Sequence, residues 1–211
     1  MRTPLVLLGA TLACGLVACG DDSGTSPDSG GEGGGDGSIT RASMIGTWET
    51  SCYVEAGIYY GKSVKTFTET TVSHVYKQFE NDPTCSDDTK LIILGESSAS
   101  EWSLGSVLAG GETSYDTVNA GAAFTTVTDV ATGNWNAGSG CGPFTTGVAV
   151  DVDGQVCFGY PNPPIGGTSF DAIFPDPQGI RFGSPTSGNS STPELRPTTP
   201  EPGEKGIFRK Q

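Results

Sequence analysis

From Val72 to Phe79 the chain alternates two sets of side chains: Val72, His74, Tyr76 and Gln78 on one side, Ser73, Val75, Lys77 and Phe79 on the other. That is the period of a β-strand with one face turned toward a core. Residues 44–54, 63–68, 90–94, 102–104, 113–118, 124–130, 169–174, 180–182 and 206–210 also have strand length and strand composition. Turn residues separate them, Asn81-Asp82-Pro83 being the clearest break. Eight or more short strands, with no helix-period segment of useful length, predict an all-β, antiparallel sandwich or barrel.

Residues 148–160 read as a hairpin. Asp153-Gly154 suits a type I′ turn, whose two central residues both take positive φ. That turn places Val150 opposite Cys157 and Ala149 opposite Phe158. Residues 184–205, rich in Ser, Thr, Pro and Gly, read as a long surface loop before the closing strand. A disordered C-terminal tail is the alternative for the last 25 residues. Glycine and proline (32 and 14 of 211 residues) make loops extensive, and the length allows one ordinary domain with appendages.

The first forty residues lack this periodicity. Residues 1–18 carry one cation, Arg2, and an apolar run from Pro4-Leu5-Val6-Leu7-Leu8 through Leu12 and Val17. The run is too short to span a bilayer and is expected to be a cleaved export signal. Leu16-Val17-Ala18-Cys19 resembles the bacterial lipobox, in which the cysteine is acylated by palmitate-type chains and becomes the new N-terminus. Two or more chains suffice for stable anchoring where one is marginal. Cys14, after the poorer Thr11-Leu12-Ala13, falls in the discarded peptide. The alternative is an ordinary secretory signal with an incidental cysteine, which would expose a free thiol.

Residues 19–40 are expected to be the acylated cysteine and a disordered Gly/Ser/Asp tether, spanning on the order of 25 Å. Residues 41–211 are expected to be the β domain. The expected location is the bacterial cell envelope, lipid-anchored, with the outer membrane as working expectation and the periplasm or surface as the side faced. Asp21 and Asp22, beside the lipidated cysteine, bear on the choice of membrane, which stays open.

Removing residues 1–18, with one cation and no acid, takes the net charge from −13 to −14. Nucleic-acid phosphates repel such a polyanion, so nucleic acid is not an expected partner. The acidity reads as solubility rather than as an acidic site.

Gly46-Thr47-Trp48 resembles the Gly-x-Trp element on the first strand of lipocalins and related calycin barrels. Cys52, and the run from Tyr76 to Asp82-Pro83-Thr84-Cys85, resemble the small lipocalin-like modules of bacterial lipoproteins and the barrel halves of APCDD-type Wnt antagonists. Glu194-Leu195-Arg196-Pro197-Thr198 and Phe208-Arg209 look like the tail of such modules. The resemblance is best over residues 44–118. It implies an antiparallel lipocalin-like β-barrel with long loops, in which Trp48 plugs one end. It also implies that a basic residue of the last strand, here Arg209, packs over Trp48, a contact of roughly 0.5–2 kcal/mol. Residues 120–183 depart from the family, with a cysteine pair of their own.

Four cysteines remain after Cys14 and Cys19, and they allow three disulfide connectivities in an exported chain. The resemblance implies Cys52–Cys85; the set adopted here is Cys52–Cys85 and Cys141–Cys157, the latter clasping the incoming loop onto the hairpin. Each bridge is expected to stabilise by about 3–4 kcal/mol. A zinc site is the rival, but no C-x-x-C spacing is present.

Asp151-Val152-Asp153-Gly154 resembles part of a calcium loop but lacks the third acid and the distal glutamate. His74, the single histidine, lies mid-strand with no G-x-S-x-G anywhere to complete a triad. Glu96, Glu101, Glu112 and Asp116 offer a carboxylate pair of the glycosidase kind, in a chain where surface acids are common. No catalytic residue, metal or cofactor is implied, and the chain reads as non-enzymatic.

Two classes of function follow. One is an interaction or structural module that meets envelope proteins through its loops. The other is the lipocalin-like binding of a small apolar or amphipathic ligand, with Tyr59, Tyr60, Phe67, Tyr76, Trp102 and Tyr115 as aromatics able to line a pocket or fill a core. The discriminator is an apolar cavity of roughly 300 Å³ or more.

Overall fold

The computed structural model describes residues 39–188 and 190–211. The expected export signal, the expected lipidation position Cys19 and the expected tether to residue 38 lie outside the described residues. The tether was expected to reach residue 40, but Ile39 packs on the core and Thr40 caps the helical turn α1 (Arg41–Met44). Thr40 and Ser43 satisfy each other's backbone N–H through their hydroxyls, a reciprocal capping box.

Fourteen strands follow among the described residues: β1 (Gly46–Thr50), β2 (Tyr53–Ala56), β3 (Tyr59–Phe67), β4 (Thr71–Glu80), β5 (Leu91–Ser97), β6 (Ser100–Val107), β7 (Thr113–Val118) and β8 (Ala122–Thr126) come first. After a helix, α2 (Asp129–Gly138), come β9 (Ala149–Asp151), β10 (Val156–Cys157), β11 (Tyr160–Pro161), β12 (Thr168–Asp176), β13 (Gly179–Phe182) and β14 (Ile207–Lys210). Eight of them close an antiparallel barrel in the order β3-β1-β14-β13-β12-β7-β6-β4 and back to β3. Closure removes the unpaired edges that an open sheet would expose.

The period-two alternation sends one residue set inward. At one end the barrel is filled by aromatic rings: Phe67 meets Trp102 edge-on at 5.1 Å, and Phe182 meets Tyr115 at 5.6 Å and Phe208 at 5.1 Å. Trp48, Met44, Ile173 and Ile180 complete this core. The Trp48 indole donates to the Met44 carbonyl (2.7 Å), so its polar edge is satisfied inside.

The expected Arg209–Trp48 contact is corrected by one residue. Lys210, not Arg209, lies directly opposite Trp48 across β1–β14, and its ammonium stands 5.6 Å from the indole. Neighbouring residues of a strand face opposite ways. Arg209 therefore lies opposite Glu49 and reaches Ser51, Gln178 and Glu204 instead. The chain ends are tied together by the β1–β14 ladder itself.

The β3–β4 hairpin is longer than the barrel wall. Its lower half pairs with β1 on one side and β6 on the other, whereas its upper half pairs with β2 and β5. A second sheet, β2-β3-β4-β5-β8-β9, thus grows from the barrel, and α2 lies against it.

The helix replaces the far end of the strand expected over 124–130. Thr128 caps it by accepting from Ala131 N, Asp129 sits in its first turn, and Ala131 and Trp135 put an apolar pair at i,i+4 on the sheet side. Gly140, at φ +76°, follows the C-cap Ser139 and turns the chain away.

The expected 148–160 hairpin is also corrected. β9 pairs with β8, placing Val150 opposite Phe124, and Cys157 lies opposite Tyr160 in the small β10–β11 ribbon. At Asp153-Gly154 only Gly154 takes positive φ, so that turn is not type I′. The two positive-φ residues of a tight hairpin turn are Phe158 (φ +52°) and Gly159 (φ +83°).

Cys52 and Cys85, and Cys141 and Cys157, stand at disulfide distance, with Cα separations of 5.5 and 5.1 Å. The first pair fastens the start of β2 to the loop after β4; the second ties the loop after α2 to β10. The 184–205 loop is pinned rather than loose. Arg196 donates to the carbonyls of Tyr115 (3.0 Å) and Asp171 and pairs with Asp116 (2.7 Å).

Candidate functional site

A cleft of about 620 Å³, larger than the chamber inside the barrel, lies between the second sheet and α2. Direct cross-strand partners build its floor: Tyr76 lies opposite Gly95, Gly95 opposite Phe124, and Tyr59 opposite Glu80. Gly95 is required there, because a Cβ would come within 2.5 Å of the Phe124 ring. The opposite wall is the α2 face carrying Ala131, Asn134 and Trp135, and the Phe158 turn closes one end.

Trp135 organises this wall. Its ring meets Phe124 at 5.1 Å, Phe144 at 5.2 Å and Phe158 at 5.0 Å, the last two nearly perpendicular. Phe158 holds a left-handed backbone that costs a side-chain-bearing residue about 1–2 kcal/mol, yet its ring is half exposed at the cleft rim. Asn136 anchors α2 to the following loop, bonding both the N–H and the carbonyl of Phe144 (2.7 and 3.0 Å).

Among the described residues the charged groups lining the cleft are Glu55 and Glu80, and no Lys, Arg or His lines it. The Tyr76 hydroxyl donates to Glu55 Oε1 at 3.1 Å. Burial, and next the Glu55 charge, raise the Tyr76 pKa far above its usual value, so the phenol stays a neutral donor. The cleft is therefore an aromatic slot with carboxylates on its rim, which suits an apolar body and a positively charged head.

No family model matches the chain, and no curated protein matches it.

Of the aromatics singled out in the sequence, Tyr59 and Tyr76 line the cleft. Phe67, Trp102 and Tyr115 belong to the barrel core, and Tyr60 lies opposite Phe79 outside both. Trp135, Phe124 and Phe158 were missed; an aromatic cluster between 124 and 158 was the available signal. The calcium-like acids are used as structural acceptors: Asp151 takes the Asp153 N–H, and Asp153 takes Asn119 Nδ2 and Ala122 N. Glu96, Glu101, Glu112 and Asp116 do not line the cleft.

His74 faces the barrel interior, where it lines a smaller chamber of about 210 Å³ with Lys65, Tyr115 and Asp171. Enclosure, and next the nearby Lys65 charge, push the imidazole down to about 3. Enclosure raises Asp171 to about 6, against hydrogen bonds from Ala172 and Gly183 and the charges of Lys65 and Arg196. Both are half-buried and line the chamber.

Proposed function

We propose that this chain is an envelope lipoprotein, acylated at Cys19, whose β domain binds a small amphipathic ligand with a flat apolar body and a cationic head. The observation that carries the binding reading is the 620 Å³ cleft walled by Trp135, Phe124, Phe158, Tyr59 and Tyr76, with Glu55 and Glu80 as its charged lining. Its size exceeds what a small-molecule site needs, and its aromatic faces and carboxylates are complementary to an organic cation. The barrel acts as the rigid support: its ring-filled end and closed wall hold the β3–β4 hairpin on which the second sheet is built. The closure of that wall by β1 and β14 supports the kinship with lipocalin-like modules.

Native mass spectrometry of the purified chain tests this reading. A bound small cation is expected, and Asn134→Trp, at an exposed position facing the cleft, is expected to remove it. A second reading, docking of an envelope protein on the same face, is favoured by the exposure of Val130 (69%) and Phe158 (52%) on the rim. That reading gains if no small molecule is retained and a protein partner is lost with Asn134→Trp.

A further inference from the structure

Lys65 and His74 are directly opposite each other across the β3–β4 ladder, and Tyr115 and Asp171 across β7–β12. In the ring of eight, β12 stands four strands from β3, so the two pairs face each other from opposing walls. Between them, beyond the ring-filled end, lies the chamber of about 210 Å³. It shares no lining residue with the aromatic cleft.

Several polar groups of this chamber lack hydrogen-bond partners among the described residues. The Lys65 ammonium stands 4.3 Å from the Phe182 ring and 6.0 Å from Phe208, and among the described residues it has neither a hydrogen-bond acceptor nor an ion-pair partner. Four of the other five lysines are matched, Lys62 to Glu49, Lys77 to Asp88, Lys205 to Glu201 and Lys210 to the Ser43 carbonyl, and the fifth, Lys90, is exposed to water. Tyr115, 3% exposed, has a buried hydroxyl without a partner, and His74 Nε2 is buried without one as well. The acid present, Asp171, spends Oδ1 on the Ala172 and Gly183 N–H groups. A buried phenol without an acceptor, facing a half-buried ammonium without one, costs free energy that an occupant bearing oxygen acceptors would return.

We propose that the barrel chamber is a second binding site, taking a small carboxylate whose oxygens accept from the Lys65 ammonium and the Tyr115 hydroxyl. The chamber has the volume of about seven waters, at about 30 Å³ each, so a short-chain acid fits and a long lipid chain does not. Val72 and the Tyr115 ring, both lining the chamber, offer an apolar face to the short chain. Asn119 and Pro163, at the loops that follow β7 and precede β12, line the chamber toward its mouth. Asn119 holds that loop by donating to the Pro163 carbonyl at 2.6 Å.

The experiment is calorimetric titration of the purified full chain with sodium butanoate, with butanamide as the neutral isostere, followed in parallel by the His74 imidazole resonances. Saturable butanoate binding that shifts the His74 signals is expected, with butanamide at least tenfold weaker. Tyr115→Phe, which removes one oxygen and keeps the ring, should weaken butanoate at least fivefold. Lys65→Met should weaken it at least tenfold, and if that variant does not fold, Tyr115→Phe decides. Absence of saturable binding, unmoved His74 signals, or wild-type affinity in Tyr115→Phe overturns the proposal.

Discussion

Phe158 meets Trp135 edge-on, with ring centroids 5.0 Å apart at 84°, while its own backbone sits at φ +52°. The aromatic contact holds a bulky residue where glycine or asparagine is ordinarily found. Strain kept at the rim of a cavity is expected where the ring serves the occupant. Phe158→Asn should therefore leave thermal stability unchanged or raise it by up to about 1 kcal/mol, and weaken cleft ligands at least fivefold. Differential scanning calorimetry and ligand titration on the same preparation check both halves.

The Cys52–Cys85 pair closes a 33-residue separation between the start of β2 and the loop after β4. Replacing both with alanine should lower unfolding free energy by about 3–4 kcal/mol on the chain-entropy account. Chemical denaturation with and without reductant measures it, and reductant should have a smaller effect on the variant than on the wild type.

Asp171 and His74 oppose each other as pH changes. The Asp171 pKa is raised to about 6 from 3.8, so the native state holds its proton longer than the unfolded chain, and stability from this group falls between pH 4 and 6. The His74 pKa is lowered to about 3 from 6.5, so its contribution rises with pH over the same range. Lys65, Tyr115 and Arg196 face these groups from β3, β7 and the 184–205 loop. Each slope is at most about 1.4 kcal/mol per pH unit, and the two largely cancel. Asp171→Asn should expose the rising slope and His74→Gln the falling one, read from denaturation midpoints at pH 4.5, 5.5 and 6.5.

Acylation at Cys19 predicts incorporation of labelled palmitate by the wild type and none by Cys19→Ser. The variant should also move from the membrane fraction to the soluble fraction. Retention of label by Cys19→Ser would contradict the assignment of this cysteine.

The barrel was legible where one face is buried. Strand 113–118 was read to the residue and 72–79 to within one at each end, because a one-residue slip there would turn polar groups into the core. Trp48 was legible as a buried residue of the first strand, but the basic residue beside it is Lys210 rather than Arg209, since the register is set by the β1–β14 ladder. α2 was not legible: Val130, Gly133, Gly138 and two asparagines give it poor intrinsic propensity. Thr128 and the packing of Trp135 on Phe124 and Phe144 form it nonetheless. Because the helix and the Phe158 turn were hidden, so was the cleft they wall. Its aromatics are far apart in sequence and meet only after the β3–β4 hairpin overshoots the barrel.

The most direct measurement is a paired calorimetric titration of the full chain with 2-(1-naphthyl)ethylammonium and 3-(1-naphthyl)propanoate, which share a bicyclic body and differ in the sign of the head. The cation should bind at least tenfold more tightly, and Glu55→Gln with Glu80→Gln should erase most of that preference while leaving the fold intact. Equal affinity for the two probes, or preference for the anion, would contradict a carboxylate-rimmed aromatic cleft that recognises a cation.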